Sequence, residues 1–121
     1  MTSEAKLALL YVPCGSEEEA VAIAKALLGE GLIACANICE SRSLYMWEGE
    51  LADEREFVLF MKTTVRRIDR ARQLINDLHS YEVPCILAIE PTSANDAYVH
   101  WVFGQLSSPA DTAPSLQVEV R

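Results

Sequence analysis

Basic charge is scarce in this 121-residue chain: 10 Lys and Arg stand against 18 Asp and Glu, a net charge of -8. Such a surface repels phosphate backbones and anionic head groups, which argues against nucleic acid and membranes as partners. The basic run Lys62, Arg66, Arg67, Arg70 and Arg72 reads as the solvated face of a helix. No uninterrupted apolar stretch is long enough to span a bilayer. The run Leu7 to Cys14 is cut by Pro13 and followed by Glu17, Glu18 and Glu19, unlike a secretory leader, so a cytoplasmic protein is expected. Also missing are a nucleophile elbow, a Gly-rich phosphate loop and a paired acid/base carboxylate motif, so catalysis is not expected. None of the cysteines at 14, 35, 39 and 85 has CxxC spacing, which excludes a zinc knuckle or thioredoxin-like motif. In a cytoplasmic protein disulfides are not expected either.

Apolar residues, by contrast, make up 50% of the chain, enough for the core of one globular domain. Leu7 to Val12 is a short apolar run that reads as a buried strand. Ser16 with Glu19 has capping-box spacing, and Ala20, Ile23, Ala24, Leu27 and Leu28 form one helical face that Gly29 and Gly31 end. Leu32 to Ile38 and Leu44 to Trp47 read as one long strand with a bulge near Ser41. Glu48-Gly49-Glu50 supplies a turn, and Arg55 to Thr63 a second long strand with bulky apolar groups on both faces. Thr64 stands at the N-cap of a helix over Val65 to His79, with Ile68, Ala71, Ile75 and Leu78 inward. Val83 to Ile89 reads as the last strand. Ser93 with Asp96 opens a third helix striped by Tyr98, Trp101, Val102 and Leu106. Residues 1–106 thus form the domain. Residues 107–121 are a tail in which Leu116 to Val120 alternates like an edge strand.

This order fits a ferredoxin-like βαββαβ sandwich of the α+β class, with long hairpin strands and an added C-terminal helix. Helices cover one side of such a sheet, so the two-faced hairpin asks for a neighbouring subunit. The topology brings Cys14, Glu56, His79 and Cys85 to one rim, a donor set for copper or zinc. The plainer reading makes the two cysteines small buried residues, His79 a helix-end cap and Glu56 a surface charge. Trp47, at the hairpin tip, favours an interface.

Five segments resemble the CutA family of divalent-cation tolerance proteins. They are Ala34-Cys35-Ala36-Asn37-Ile38, Ser43 to Gly49, Lys62-Thr63-Thr64, His79 to Pro84, and Tyr98 to Val102. The resemblance implies a homotrimer built through the long hairpins and a part in copper or other divalent-metal tolerance. It also implies metal binding at Cys14, Glu56 and His79. The chain departs from the family pattern at Ser80, where Pro is usual, at Cys85, where Glu is usual, and at Glu50, where Lys is usual. A homotrimeric, metal-binding, non-enzymatic protein is the leading expectation, with no metal needed for folding. A PII-like trimeric signalling or scaffold protein with a pocket between subunits is the alternative, and a thiol enzyme using Cys14 or Cys85 is the third.

Overall fold

The computed structural model describes residues 6–106. The expected tail and its edge strand lie outside the described residues. Strand β1 (Leu7–Cys14) alternates in burial, with Ala8, Leu10, Val12 and Cys14 turned inward. Helix α1 (Glu17–Gly29) starts where expected: Ser16, in extended backbone, accepts the Glu19 amide at 3.1 Å. Its end is a Schellman motif. Gly31, at φ 70°, donates to the Leu28 carbonyl, and Leu32 donates to that of Leu27. The left-handed backbone at position 31 is what makes glycine the stop there.

Strands β2 (Cys35–Trp47) and β3 (Glu50–Thr64) form one hairpin in unbroken register, from Cys35 opposite Lys62 to Trp47 opposite Glu50. No bulge occurs at Ser41, which pairs directly with Glu56. The polar stretch that prompted the bulge is instead held across the strands. Arg42 and Arg55 are directly opposite, and each avoids the other by bonding diagonally, Arg42 to Asp53 and Arg55 to Glu40, both at 2.8 Å. Strand β3 also begins five residues before Arg55. The turn has only Glu48 and Gly49 in its loop, both at positive φ (51° and 84°), the primed pattern that matches strand twist.

A 3₁₀ turn (Val65–Arg67) precedes helix α2 (Ile68–Leu78), so the second helix starts later than the periodicity predicts. The Thr64 hydroxyl does not cap it but accepts from Arg67 at 2.8 Å. His79 is its C-cap rather than its last residue. The last strand, β4 (Leu87–Ile89), is shorter than the expected Val83 to Ile89, so Cys85 lies ahead of it in an irregular segment. Helix α3 (Asp96–Gln105) has Asn95 rather than Ser93 at its N-cap position, with no side-chain capping bond; of its expected stripe only Val102 is fully buried, and Trp101 stays exposed.

The sheet order is β2-β3-β1-β4 with every pair antiparallel, the ferredoxin-like arrangement with α3 added. One face carries the core: Leu10, Val12 and Cys14 with Leu59 and Met61 meet Ala20, Ile23 and Leu27 of α1 and Ala71 and Ile75 of α2. Leu28 and Leu78, expected inward, are exposed near the helix ends. Residues paired across strands share a face, so Cys35 lies with Lys62 on the side away from Met61. Tyr98 reaches Cys35 at 3.5 Å, so α3 covers part of the second face, which the sequence reading left bare.

Pairing of β1 with β3 stops at Cys14 and Phe57. Beyond it the hairpin continues alone as a two-stranded ribbon, from Ser41 and Glu56 out to the turn, roughly 20 Å at strand rise. Leu44, Met46, Trp47 and Leu51 on this ribbon are 60–67% exposed. Both the rim expected from the sequence and the bare ribbon therefore begin where β1 ends.

Candidate metal centre

Three elements deliver polar side chains to the end of β1. Cys14 is its last residue and has no exposed surface. Glu19 stands in the first turn of α1, and His79 closes α2 by donating its amide to Ile75 at 2.9 Å. One ligand atom from each of Cys14, Glu19 and His79 lies within 4.8 Å of the others. Soft sulfur, imidazole nitrogen and carboxylate oxygen are the donor types used by zinc and copper sites.

The hydrogen bonds fix the tautomer. The Pro13 carbonyl only accepts, so His79 Nε2 carries the proton and donates to it at 2.8 Å. The Tyr81 amide only donates, so Nδ1 accepts it at 3.1 Å. The His79 side chain has no exposed surface, and its ring lies 4.7 Å from that of Tyr81. Glu19 does not complete the reciprocal half of a capping box. Its Oε1 accepts from the Gly15 amide at 3.2 Å and its Oε2 from the Ser80 amide at 2.6 Å. A proline at position 80 would have neither an N–H nor a hydroxyl to give, so the departure at Ser80 supplies both a backbone and a side-chain donor to Glu19.

Burial opposes the charge on Glu19, but the Ser80 and Gly15 amides and the nearby His79 outweigh it and hold its carboxyl below the usual range. Cys14 is pushed the other way. Burial first, then the charges of Glu19 and Glu56, raise its thiol to about 12. A buried thiol with that pKa offers no thiolate nucleophile. Cys85 is exposed, yet its thiol is also raised, by partial burial and then by Glu56. Neither cysteine has the lowered pKa that thiol catalysis uses.

Of the four residues expected at the rim, Cys14 and His79 come together. Glu56 is buried next to them but accepts the Tyr81 hydroxyl at 2.8 Å, and Cys85 stands outside the 4.8 Å group. Glu19 is the member that sequence reading missed, because its spacing from Ser16 was fully explained as a helix cap. Tyr81 ties the two halves together: its hydroxyl passes 3.3 Å from where a Cβ on Gly15 would sit. Any side chain at position 15 would press on that ring.

In the metal-free protein Glu19→Gln is expected to lower stability by about 1–2 kcal/mol at pH 7, from the loss of two charge-assisted bonds. The folded carboxyl lies below its ordinary value of 4.5, so its stabilisation is present above that pH and drains as pH falls through the folded pKa. Urea melts at pH 7 and pH 3 check this; an equal deficit at both pH values would remove the ionised carboxylate as the cause.

Among the described residues no helix is long and apolar enough to cross a membrane. Residues 8–105 match the family described as CutA1 divalent ion tolerance protein. The divalent-cation tolerance protein CutA of Thermus thermophilus is 39% identical over 98 residues, covering 80% of this chain and 93% of its own length. The crystal structure of divalent ion tolerance protein CutA1 from Ehrlichia chaffeensis superposes with a TM-score of 0.81 at 36% identity, covering 85% of this chain and 97% of that one. CutA from Archaeoglobus fulgidus, described as a periplasmic divalent cation tolerance protein, gives 0.81 at 33% identity, covering 84% and 99%. Matched along nearly the whole described domain in both sequence and fold, this chain belongs to the CutA1 divalent ion tolerance family.

Proposed function

We propose that the chain serves in divalent-cation tolerance as a cytoplasmic, non-enzymatic homotrimer that takes up copper or another divalent metal at the rim where β1 ends and α2 is capped. The observation that carries this reading is the group of buried Cys14 and His79 with half-buried Glu19, whose donor atoms lie within 4.8 Å of one another. Cys14 and His79 are its core; Glu56 and Cys85 flank it, and Glu56 bears electrostatically on both thiols. When bound, the ion would supply a positive centre to a pocket that otherwise holds a carboxylate.

Assembly is supported by the bare ribbon. A two-stranded hairpin is marginal by itself in water, and this one exposes Leu44, Met46, Trp47 and Leu51. A two-residue turn leaves no long mobile loop to close over a small-molecule ligand, which favours metal uptake over the PII-like alternative. Native mass spectrometry of reduced protein with and without Cu(I), Cu(II) and Zn(II) tests both parts. The expected result is three protomers with about one metal each, and a Cys14→Ala trimer that takes up none. Cys14→Ala replaces one small buried group by another, so assembly should persist. A metal-free wild-type trimer under all three conditions would remove the metal site, and a monomer at micromolar concentration would remove the assembly.

A further inference from the structure

Strand β4 leaves its side of the sheet open. It stands last in the order β2-β3-β1-β4, and among the described residues no strand pairs with its outer edge. Of the eight residues in β1 it engages only Leu9 to Tyr11. Leu87 and Ile89 are 52% and 46% exposed, and they pair with Tyr11 and Leu9 on the face opposite the core. That face already carries an apolar row, in which Tyr11 meets Phe60 edge-on at 5.5 Å. Ala88, opposite Leu10 on the core side, is exposed but small. An open edge with large apolar groups at alternate positions is a template for another strand.

The chain itself holds a segment of matching pattern. The family match ends at residue 105, and beyond it Leu116, Val118 and Val120 alternate with Gln117 and Glu119. As a strand this segment has one apolar and one polar face, which is what the β4 edge requires. The opposite edge of the sheet suits it less. Within the domain β2 shows Asn37, Cys39 and Glu40 to solvent. On the ribbon Leu44 and Met46 are exposed on one face and Tyr45 and Trp47 on the other, so the polar side would meet apolar groups either way. Reach is sufficient. The chain from Leu106 to Leu116 can extend up to about 35 Å. From β2 to β4 the sheet is about 14 Å wide, and α3 is about 15 Å long.

We propose that Leu116 to Val120 pairs with the outer edge of β4 in the same chain as a fifth strand, with Leu116, Val118 and Val120 beside Leu87 and Ile89. The pairing closes the edge and keeps β4 from recruiting a strand of another molecule. It depends neither on the metal reading nor on the ribbon's part in assembly. The faces restrict the register, because a slip by one residue would set Gln117 and Glu119 against Leu87 and Ile89. In the favoured register those two polar side chains lie on the side of Ala88, where solvent reaches them.

Amide hydrogen exchange of the full chain, read at Leu87 to Ile89 and at Gln117 to Glu119, tests the pairing. Three proteins are compared: the unaltered chain, Val118→Asp and Gln117→Asp. The two variants add the same charge at adjacent positions on opposite faces of the segment. In the unaltered chain the protected amides of both segments should exchange at least roughly tenfold more slowly than in Val118→Asp, the worth of one or two hydrogen bonds. Gln117→Asp should keep that protection, and dilution should not change it. Circular dichroism checks that the domain stays folded in each variant. Unaltered-chain amides that exchange as fast as those of Val118→Asp, or equal losses in the two variants, overturn the pairing. Protection confined to residues 117–119 places the segment elsewhere and overturns it too. Protection of β4 that survives Val118→Asp and fades on dilution assigns the edge to a second copy instead.

Discussion

Dilution of the Trp47→Ala protein should cause the assembly to dissociate at concentrations roughly 30-fold higher than for the unaltered chain, the effect of losing a hot-spot aromatic worth about 2 kcal/mol. Trp47 is 65% exposed in the single chain and flanks a turn with no core beneath it. Its neighbours add to the patch: Met46 pairs with Leu51 across the ribbon, and both are more than 60% exposed. The ribbon's own stability comes from backbone pairing and from the Arg42–Asp53 and Arg55–Glu40 bridges, which are exposed and contribute little. A neighbouring copy burying the apolar groups, as proposed above, would supply the stabilising term that remains. Sedimentation velocity across a concentration series decides it. Superimposable profiles for the two proteins would take Trp47 out of the interface.

His79→Ala should cost about 3 kcal/mol of folding stability without any metal present. The imidazole is fully buried and joins the end of β1 to the loop after α2, through Pro13 on one side and Tyr81 on the other. Removing it leaves a part-buried carbonyl and a part-buried amide without their partner, about 1–3 kcal/mol, and opens a cavity besides. Glu19 would also lose the neighbour that helps hold its carboxyl down. His79→Gln separates the causes, since its amide can both donate to Pro13 and accept from Tyr81. Recovery of about half the loss in denaturant melts would assign it to the hydrogen bonds. A Gln variant no more stable than the Ala variant would assign the loss to packing alone.

The first helix was legible in the sequence because two independent signals agreed: Ser16 with Glu19 for the start, and apolar residues at helical spacing for the inner face. The same agreement concealed Glu19, whose carboxylate bonds to Ser80, 61 residues away in sequence. A spacing rule sees only local partners. The expected bulge failed for a related reason. Glu40 to Ser43 looks like an interruption when read along one strand, but its charges are satisfied diagonally on the other. The last strand shrank because apolar composition alone does not make a ladder: only Leu87, Ala88 and Ile89 find partners, on Tyr11, Leu10 and Leu9. Convergence of Cys14 and His79 was readable from topology, since a ferredoxin-like sheet brings the end of its first strand beside the end of its second helix. Which carboxylate joins them was not, because that depends on side-chain direction.

The central place of β1 in the sheet also bears on synthesis. It leaves the ribosome before either of its partners exists, and Phe57 to Thr64, the residues that cover one edge, are made only after the whole hairpin has begun to form. The other edge waits longer still, for Leu87 to Ile89. Until then Leu7-Ala8-Leu9-Leu10-Tyr11-Val12 is an apolar, β-prone segment with no pairing of its own, the kind that sticks to other chains or to a holding chaperone. The hairpin, whose contacts are local, can close in microseconds, whereas β1 must be captured across a long loop. Yield on expression should therefore respond to translation speed and chaperone supply more than the stability of the finished domain would indicate.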